Sequence, residues 1–218
     1  MKNVTTTLVL FMLCFISCKK EVKTETETTK VSDSIKTEEP MAEESVAEKP
    51  VDSAAYVKAW QDYATPGNPH KLLADEVGTW NCEMTFWYEP NAKPEKASSV
   101  ANIKMILGGR YQEANYVGKI MGAPFEGKST VAFNNATKEY TTTFIDNMGT
   151  GMMIGVGKYN ESSKSVEYKG EVVDPVTGKK AAYREVYTIV DASTRKMEMF
   201  DTKDGTEYKS MEIVMKKK

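Results

Sequence analysis

The feature that most constrains the fold is a change of apolar period at Gly78. Before it, Asn68 can cap a short helix, Pro69 suits the first helical turn, and Gly78 suits a left-handed stop. After it, every second residue is apolar or aromatic, namely Trp80, Cys82, Met84, Phe86 and Tyr88. Successive side chains of a strand point to opposite faces, so these residues share one face. The sequence predicts a short helix that leads into a long, half-buried strand.

Turn signals recur along the rest of the chain. Clusters of Asn, Asp, Gly and Pro, such as 90–94, 121–124 and 146–149, separate segments of about 8–12 residues rich in β-branched and aromatic residues. Segments such as 125–133 and 211–215 alternate in polarity. The connections have no helical crossover long enough to join parallel strands. We therefore expect about ten antiparallel strands in up-and-down order, closed into a barrel because closure removes unpaired edges.

The predicted class is thus all-β, an antiparallel up-and-down β-barrel with one or two short N-terminal helices. The first helix can begin after Asp52 or Ser53, both of which are favourable N-cap residues. Its residues at helical spacing form an aromatic face: Tyr56, Ala59, Trp60 and Tyr63. That face could be a lid over a pocket or a plug that seals one edge of the core, and the plug is favoured.

The first residues carry the features of an export signal. Lys2 precedes the apolar run Leu8–Ile16, which is about half of the roughly 20 residues needed to span a bilayer. The run ends in Phe15-Ile16-Ser17-Cys18, which resembles the bacterial lipobox, with Phe15 where Leu is usual. The resemblance implies a lipoprotein signal peptide over 1–17 and acylation of Cys18, with more acyl chains than stable anchoring requires. The alternative is an ordinary signal with a chance cysteine.

Residues 18–51 are predicted to be a disordered acidic tether. From Lys19 to Val51 the chain has no aromatic residue and is rich in Glu, Lys, Thr and Ser. Such a segment buries too little apolar surface to offset its ordering entropy. It could also act as an interaction tail. The barrel domain is then 52–218, and the protein is expected to be lipid-anchored in the bacterial cell envelope, at the outer membrane or the periplasmic face.

Composition argues against several classes of function. The formal charge is −2, from 29 basic and 31 acidic residues, so the chain has no basic field for nucleic acid. A Cys/His metal site is not expected, because the body of the chain holds one histidine, His70, and one cysteine, Cys82. The inward phase of Cys82 indicates a core residue. No cofactor is predicted, and a haem barrel would need an axial histidine inside.

The chain is predicted not to be an enzyme. It has no Gly-x-Ser-x-Gly elbow, and His70 is expected to cap a helix or lie on the surface. A catalytic carboxylate pair stays open for residues whose separations the sequence does not give: Glu83, Glu113, Glu126 and Asp146. Four glycines at odd positions within 149–157 could form a phosphate loop, but close backbone approach or sharp barrel curvature is the favoured reason for them.

Several motifs together resemble a known family. Gly78-Thr79-Trp80 after a short helix resembles the lipocalin and calycin opening, in which the tryptophan closes one barrel end. With it come 69–73, 105–111, 121–127, 146–151 and 174–178, and the combined set resembles the bacterial family catalogued as domain of unknown function fifteen-seventy-nine. The likeness covers about residues 66–216. It implies a calycin-like barrel and no activity, since the family has no established one.

The function expected from these observations is a non-catalytic carrier or sensor of a small lipophilic molecule. Barrels of this size can enclose one ligand. The candidate ligand-binding residues are Trp87, Arg110, Tyr116, Phe125, Asp146, Met148, Met152 and Arg184. The expected partners are the membrane, through the acyl chains, and the lipophilic ligand, while the oligomeric state is open. The alternative is a structural or interaction protein whose barrel is filled by side chains.

The two candidate arginines have several possible roles. Arg110 and Arg184 could bind a carboxylate or phosphate head group in bidentate fashion. They could instead pair with Glu113 or Glu185, or cap the barrel end near Trp80 as the lipocalin-type arginine does. The capping role is favoured for Arg184.

Overall fold

A computed structural model describes residues 52–218. Two short helices, α1 (Ser53–Ala64) and α2 (Asn68–Ala74), precede ten strands. The strands are β1 (Gly78–Phe86), β2 (Glu95–Ile106), β3 (Tyr111–Ile120), β4 (Ala123–Asn134), β5 (Glu139–Asp146), β6 (Met153–Asn160), β7 (Ser165–Val173), β8 (Lys180–Ile189), β9 (Thr194–Lys203) and β10 (Thr206–Lys217). The predicted signal peptide, Cys18 and the tether lie outside the described residues, and the proposed domain boundaries stay predictions. Between residues 52 and 218 no helix is long and apolar enough to cross a bilayer.

The strands form one closed, up-and-down barrel. Each strand pairs antiparallel with its neighbour in sequence, and β1 closes the cylinder by pairing with β10. This last ladder runs from Trp80 opposite Lys217 to Phe86 opposite Met211. Closure leaves every strand paired on both sides, as a meander of amphipathic strands requires. The predicted all-β barrel of about ten strands with short N-terminal helices is therefore confirmed.

Alternation along each strand sorts the side chains into the barrel interior and the outer surface. In β1, Trp80, Cys82 and Met84 are buried while Asn81 and Glu83 are exposed. The predicted inward residues of β4 and β10 also face the interior, where Phe125, Ser129 and Val131 and Met211, Ile213 and Met215 line a cavity. Cys82 is a core residue as predicted, and burial raises the pKa of its thiol to about 11.

The two ends of the barrel differ. The strand directions place α2 and the hairpins 107–110, 135–138, 161–164 and 190–193 at one end, here called the closed end. The segments 87–94, 121–122, 147–152, 174–179 and 204–205 lie at the other end, here called the open end. Trp80 is fully buried near the closed end, the position that the lipocalin resemblance implies for it.

Helix α2 covers the closed end and is capped by a histidine. The Gly67 N–H donates a hydrogen bond of 3.0 Å to His70 Nδ1, so His70 satisfies an amide at the helix start. The imidazole is buried and lies nearly perpendicular to the Phe133 ring, and burial followed by the Arg110 charge lowers its pKa. The predicted capping role of His70 is confirmed. The N-cap residue is Gly67 rather than Asn68, and the helix ends before Gly78, which begins β1 with φ of 137°.

Helix α1 is not the plug that its aromatic face indicated. Asp52 caps it as expected, but none of its residues is buried, and Tyr56, Trp60 and Tyr63 are about half exposed. Its C-terminal end is tied to the closed end, where Asn135 Nδ2 donates to three carbonyl oxygens of 62–65 and Arg110 Nε donates to the Ala64 carbonyl oxygen. No α1 residue lines the cavity, so the helix is not a lid either.

Candidate functional site

The barrel interior holds a cavity of about 340 Å³. Inward side chains of all ten strands line it, and α2 closes one end with Leu72 and Leu73. At the open end its lining includes Tyr88 and Met148, whose side chains are more than half exposed. The cavity therefore runs from the closed end to the surface, and its volume lies in the range typical of pockets for small molecules. The alternative of a barrel filled by its own side chains does not describe this interior.

The cavity has two chemically different walls. Strands β1, β9 and β10 form a methionine wall made of Met84, Met197, Met199, Met211 and Met215. Strands β3 and β5–β8 form a tyrosine wall made of Tyr116, Tyr140, Tyr159, Tyr168, Tyr183 and Tyr187. Thioethers adapt to irregular apolar shapes, while tyrosines offer flat apolar rings with a hydroxyl at the tip. Such a lining suits a mainly apolar molecule that has a few polar groups.

The charges in the cavity lining are all acidic. Within the described chain the lining includes the carboxyl groups of Glu76, Asp146 and Glu185, and it includes no lysine, arginine or histidine. Each carboxyl stands in a different environment, which decides whether it is available to a ligand.

Glu76, at the closed end, is fully engaged by protein groups. Its Oε1 accepts hydrogen bonds from Arg195 Nε at 2.8 Å and from the Tyr187 hydroxyl at 3.1 Å. Its Oε2 accepts from Gln112 Nε2 at 2.9 Å. Glu76 and Arg195 are both buried, so the pair neutralises two charges that would be costly to bury singly. This hydrogen-bonded cluster holds the closed end of the barrel together.

Arg195, and not Arg184, stands against Trp80. The Arg195 guanidinium lies 5.2 Å from the Trp80 ring centre, and Trp80 Nε1 donates to the Glu76 carbonyl oxygen at 2.8 Å. The capping role predicted for Arg184 is therefore wrong. Arg184 alternates with inward Tyr183 and Glu185 along β8, so it must point outward.

Arg184 is engaged on the outer surface of the barrel. It donates to both Glu207 oxygens, at 2.9 and 2.7 Å, and it lies 4.0 Å above the Phe200 ring. The suggested pairing of Arg184 with Glu185 is wrong for the same reason, since adjacent strand residues face opposite sides.

Asp146 lies at the open end and shapes the loop that follows β5. Its Oδ1 accepts hydrogen bonds from the backbone N–H groups of Met148 and Gly149, at 2.9 and 3.1 Å. This arrangement is an Asx turn, in which a side chain substitutes for a backbone acceptor. The turn holds Met148 at the rim of the cavity.

Glu185 is the carboxyl that has no partner in the described chain. It lies in the middle of β8, opposite Tyr168 of β7 and Met199 of β9, and it faces the cavity. No side chain or backbone group of residues 52–218 donates a hydrogen bond to it, and burial alone raises its pKa to about 7 from the ordinary value of 4.5. An apolar surrounding disfavours the charged form of an acid, which explains the direction of this shift.

Tyrosines surround this carboxyl. Tyr183 precedes it by two residues on β8, and its ring lies over a pair of glycines that face each other across β6 and β7, Gly155 and Gly170. A Cβ added at Gly170 would lie 2.7 Å from the Tyr183 hydroxyl oxygen, so the missing side chain provides the space for that ring. Burial, with a smaller effect of Glu185, raises the pKa of Tyr183 to about 12. The Tyr183 hydroxyl is therefore a neutral donor at physiological pH.

The glycine-rich segment 149–157 also brings backbones together. A Cβ at Gly157 would collide with the Glu167 carbonyl oxygen of β7, and one at Gly155 would lie 3.0 Å from the Tyr168 Cβ. Close backbone approach is therefore confirmed for Gly157, whereas the space beside Gly155 is taken by side chains of Tyr168, Tyr183 and Thr142. Gly149 and Gly151 precede β6 and have open space where a side chain would be.

The structure brings four of the eight predicted ligand-binding residues to the cavity. Tyr116, Phe125, Asp146 and Met148 line it, and ligand contact by these residues stays a prediction. The other four lie outside the lining: Trp87, Arg110, Met152 and Arg184. Lys209 Nζ lies 5.2 Å from the Trp87 ring, Arg110 binds carbonyl oxygens at the closed end, and Met153 lines the cavity where Met152 does not.

The carboxylates left open as a catalytic pair do not meet in the cavity. Glu83 and Glu126 are exposed, and Glu113 accepts from Lys104 and Lys128 on the outer face at 3.0 and 3.4 Å. Of that group only Asp146 lines the cavity. Among residues 52–218 no group of three His, Cys, Asp or Glu side chains is placed to hold a metal ion.

Sequence analysis missed the polar groups at the centre and at the closed end, Glu76, Glu185 and Arg195. The alternation of β8 is the signal that could have placed Glu185, because Tyr183, Glu185, Tyr187 and Ile189 share one face. The opposite face of the same strand contains Val186, so the alternation alone did not decide between the two phases.

Several solved structures are similar to this chain at low sequence identity. Rv2717c from M. tuberculosis is 14% identical, with 71% of this chain and 99% of that chain covered and a TM-score of 0.53. The S-type phycobiliprotein lyase CPES from Guillardia theta is 8% identical, with 73% and 96% covered and a TM-score of 0.49. A redesigned β-barrel is 13% identical, with 67% and 94% covered and a TM-score of 0.34. A search of curated proteins gives no significant match.

One of these comparisons corrects a prediction. Missing catalytic motifs indicated that the chain is not an enzyme, but a protein described as a lyase is among the matching barrels. The prediction that the chain is not an enzyme therefore does not stand. At 8% identity the lyase assigns no reaction to this chain.

The sequence family is established by a direct match. The model described as "Protein of unknown function (DUF1579)" matches residues 65–217, which extend from the loop before α2 to the end of β10. These are the residues that build the barrel and its cavity, and the match agrees with the motifs that indicated the same family. The chain belongs to the DUF1579 family of proteins of unknown function.

Proposed function

We propose that the barrel binds one small, mainly apolar molecule and serves as its carrier or sensor. The observation that carries this proposal is the cavity of about 340 Å³ inside a closed barrel. Protein interiors are normally packed with few voids larger than a water molecule, and unfilled apolar volume lowers stability. A ligand would restore the missing contacts along the methionine and tyrosine walls.

The test is native mass spectrometry of the full chain purified from its own host. We expect a bound mass in addition to the polypeptide and its acyl chains. Ligand-stripped protein is then screened by thermal shift with lipids, quinones and lipophilic amines. At least one compound should raise the melting temperature, because a ligand that binds the folded state stabilises it. Bare protein mass combined with no shift for any compound would contradict the binding function.

We also propose that acylated Cys18 holds the barrel at the bacterial cell envelope through the tether 18–51. The support is the lipobox-like Phe15-Ile16-Ser17-Cys18 at the end of an apolar run. Cys18→Ala should move the protein from the membrane fraction to the soluble fraction, while the matched control Cys14→Ala should stay with the membrane. Retention of the Cys18→Ala variant by the membrane would contradict the anchor.

A further inference from the structure

We propose that the molecule held in the cavity carries a protonated amine or a comparable N–H donor, and that the Glu185 carboxylate binds it. This inference rests on the binding function proposed above and names the chemical class of its ligand. It follows from the position of Glu185, from the engagement of the other carboxyls and from the charge of the cavity as a whole.

The position of Glu185 is that of a ligand contact. The cavity extends from Leu73 and Glu76 at the closed end to Tyr88 and Met148 at the open end, and Glu185 lies between them. Its cross-strand neighbours are Tyr168 and Met199. A molecule that fills the cavity along its length would therefore pass beside this carboxyl.

Glu185 is also the cavity carboxyl that the described chain leaves unengaged. Glu76 is saturated by Arg195, Tyr187 and Gln112, and Asp146 accepts two backbone amides at the rim. Glu185 is half-buried and faces the cavity, so a ligand that fills the cavity would cut its carboxyl off from solvent, which is costly unless the ligand provides a hydrogen bond. A ligand N–H donor would supply the missing partner, and a cationic one would supply it with a charge-assisted bond.

The charged groups of the cavity lining indicate the charge of the ligand head group. Three carboxyls and no cationic side chain belong to its lining within residues 52–218, and the Arg195 guanidinium at the closed end is bound to Glu76. The head group of a fatty acid or a phosphate ester would find no cation there and would meet Glu185 or Asp146. The lining therefore disfavours anionic lipids.

The groups around Glu185 support the same assignment. The titratable side chains that face it are Tyr168 from β7, Tyr183 from its own strand and Tyr116 from β3, while β9 contributes Met199. Their hydroxyl oxygens can accept further N–H bonds from the same head group. Burial holds the pKa of Glu185 near 7, so an arriving cation would favour its ionised form.

The test compares three eight-carbon probes that differ in the head group: octylamine, octanol and octanoate. Each is titrated calorimetrically into the full chain in a mild detergent at pH 7.5, against a detergent blank. We expect octylamine to bind at least roughly tenfold more tightly than octanol, since a hydrogen bond to a charged group is worth that much, and octanoate to bind most weakly. This ranking in the unmodified chain tests the inference without a variant.

A variant pair assigns the preference to one carboxyl. Glu185→Gln should weaken octylamine binding at least roughly tenfold, to within about twofold of octanol. Glu83→Gln is the matched control, because Glu83 is an exposed carboxyl on β1, and it should keep the full preference. Equal affinities for the three probes, tightest binding of octanoate, or an unchanged preference in Glu185→Gln would each overturn the inference while leaving the binding function in place. Failure of all three probes would also overturn the inference, and the native mass and the thermal-shift screen then decide separately whether the binding function stands.

Discussion

At the scale of single residues, Glu185 couples the stability of the barrel to pH. Its pKa is raised from 4.5 to about 7 because the cavity wall shields the carboxyl from solvent. Between those two values the folded state keeps a proton that the unfolded chain has lost. The stability contributed by this group is therefore complete below about pH 4.5, decreases as pH rises toward 7, and is lost above it.

Glu185→Gln should remove this dependence. We expect the free energy of unfolding of the variant, relative to the wild type, to increase by roughly 1–3 kcal/mol between pH 5 and pH 8. Urea unfolding at the two pH values measures it. Glu126→Gln removes an exposed carboxyl on β4. Its unfolding free energy relative to the wild type should change by less than about 0.5 kcal/mol between pH 5 and pH 8. A Glu185→Gln variant with the pH dependence of the wild type would show that the carboxyl is not buried as described.

The Glu76–Arg195 pair gives a second prediction for single residues. Glu76→Gln leaves the buried Arg195 charge uncompensated, so we expect a loss of about 3–5 kcal/mol in unfolding free energy. Adding Arg195→Met should recover part of that loss, because no unpaired charge then remains. Urea unfolding curves of both variants provide the measurement.

The control for that pair is an ion pair on the barrel surface. Lys180 and Glu171 form a bridge of 2.9 Å in which both side chains are more than half exposed, and Lys180→Met should cost less than about 1 kcal/mol. Comparable losses of unfolding free energy in Glu76→Gln and Lys180→Met would contradict the role of Glu76 in holding the closed end together.

Single polar residues inside the barrel were also the least predictable part of the molecule. Trp80 and Cys82 were placed correctly because a long apolar alternation fixes their phase. Arg184 and Arg195 are eleven positions apart on adjacent strands, and which of them reaches Trp80 depends on the phase of each strand. A local pattern does not contain that three-dimensional information.

At the scale of elements, the glycines of β6 and β7 set the space beside Glu185. Gly170→Ala would bring a methyl group onto the Ile154 carbonyl oxygen and to 2.7 Å from the Tyr183 hydroxyl oxygen. We expect a loss of about 1–3 kcal/mol in unfolding free energy, as for other overpacked sites, measured by urea unfolding. Gly149→Ala, where open space surrounds the added Cβ, should change stability by less than about 0.5 kcal/mol. Equal losses at both sites would contradict the close packing at Gly170.

The strands were more predictable than the helices. Strand phase follows from period-two alternation, and the hairpin turns carry Asn, Asp and Gly whose preferences are local. Helix α1 also has a clear apolar period, but periodicity does not say what the apolar face packs against. Its aromatic face is exposed in the described chain, so the predicted plug was wrong although the helix and its Asp52 cap were right.

At the scale of the whole molecule, the closed barrel could be predicted from the number of strands and the length of their connections. Ten amphipathic strands joined by short hairpins leave two edges, and pairing β1 with β10 satisfies both at once. The cavity did not follow in the same way. Its volume is the small difference between the space that ten strands enclose and the side chains that enter it, so it depends on side-chain positions in every strand.

This unfilled volume implies a trade between stability and binding. Met199 lies opposite Glu185 in the register and lines the cavity, so Met199→Trp would add an aromatic ring inside it. We expect probe binding to weaken at least roughly tenfold while the unfolding free energy stays within about 1 kcal/mol of the wild type or rises, because the ring occupies empty space instead of displacing packed atoms. Octylamine titration and urea unfolding of the same preparation give both quantities.

The matched control places the same side chain outside the barrel. Val117 is an outward residue of β3 that is more than half exposed, and Val117→Trp should leave probe affinity within about twofold of the wild type. Unchanged affinity in Met199→Trp would place the ligand away from the centre of the cavity. A loss of several kcal/mol in that variant would show that the space beside Met199 is packed. Weaker binding at preserved stability would instead show that the barrel keeps this volume empty for a ligand.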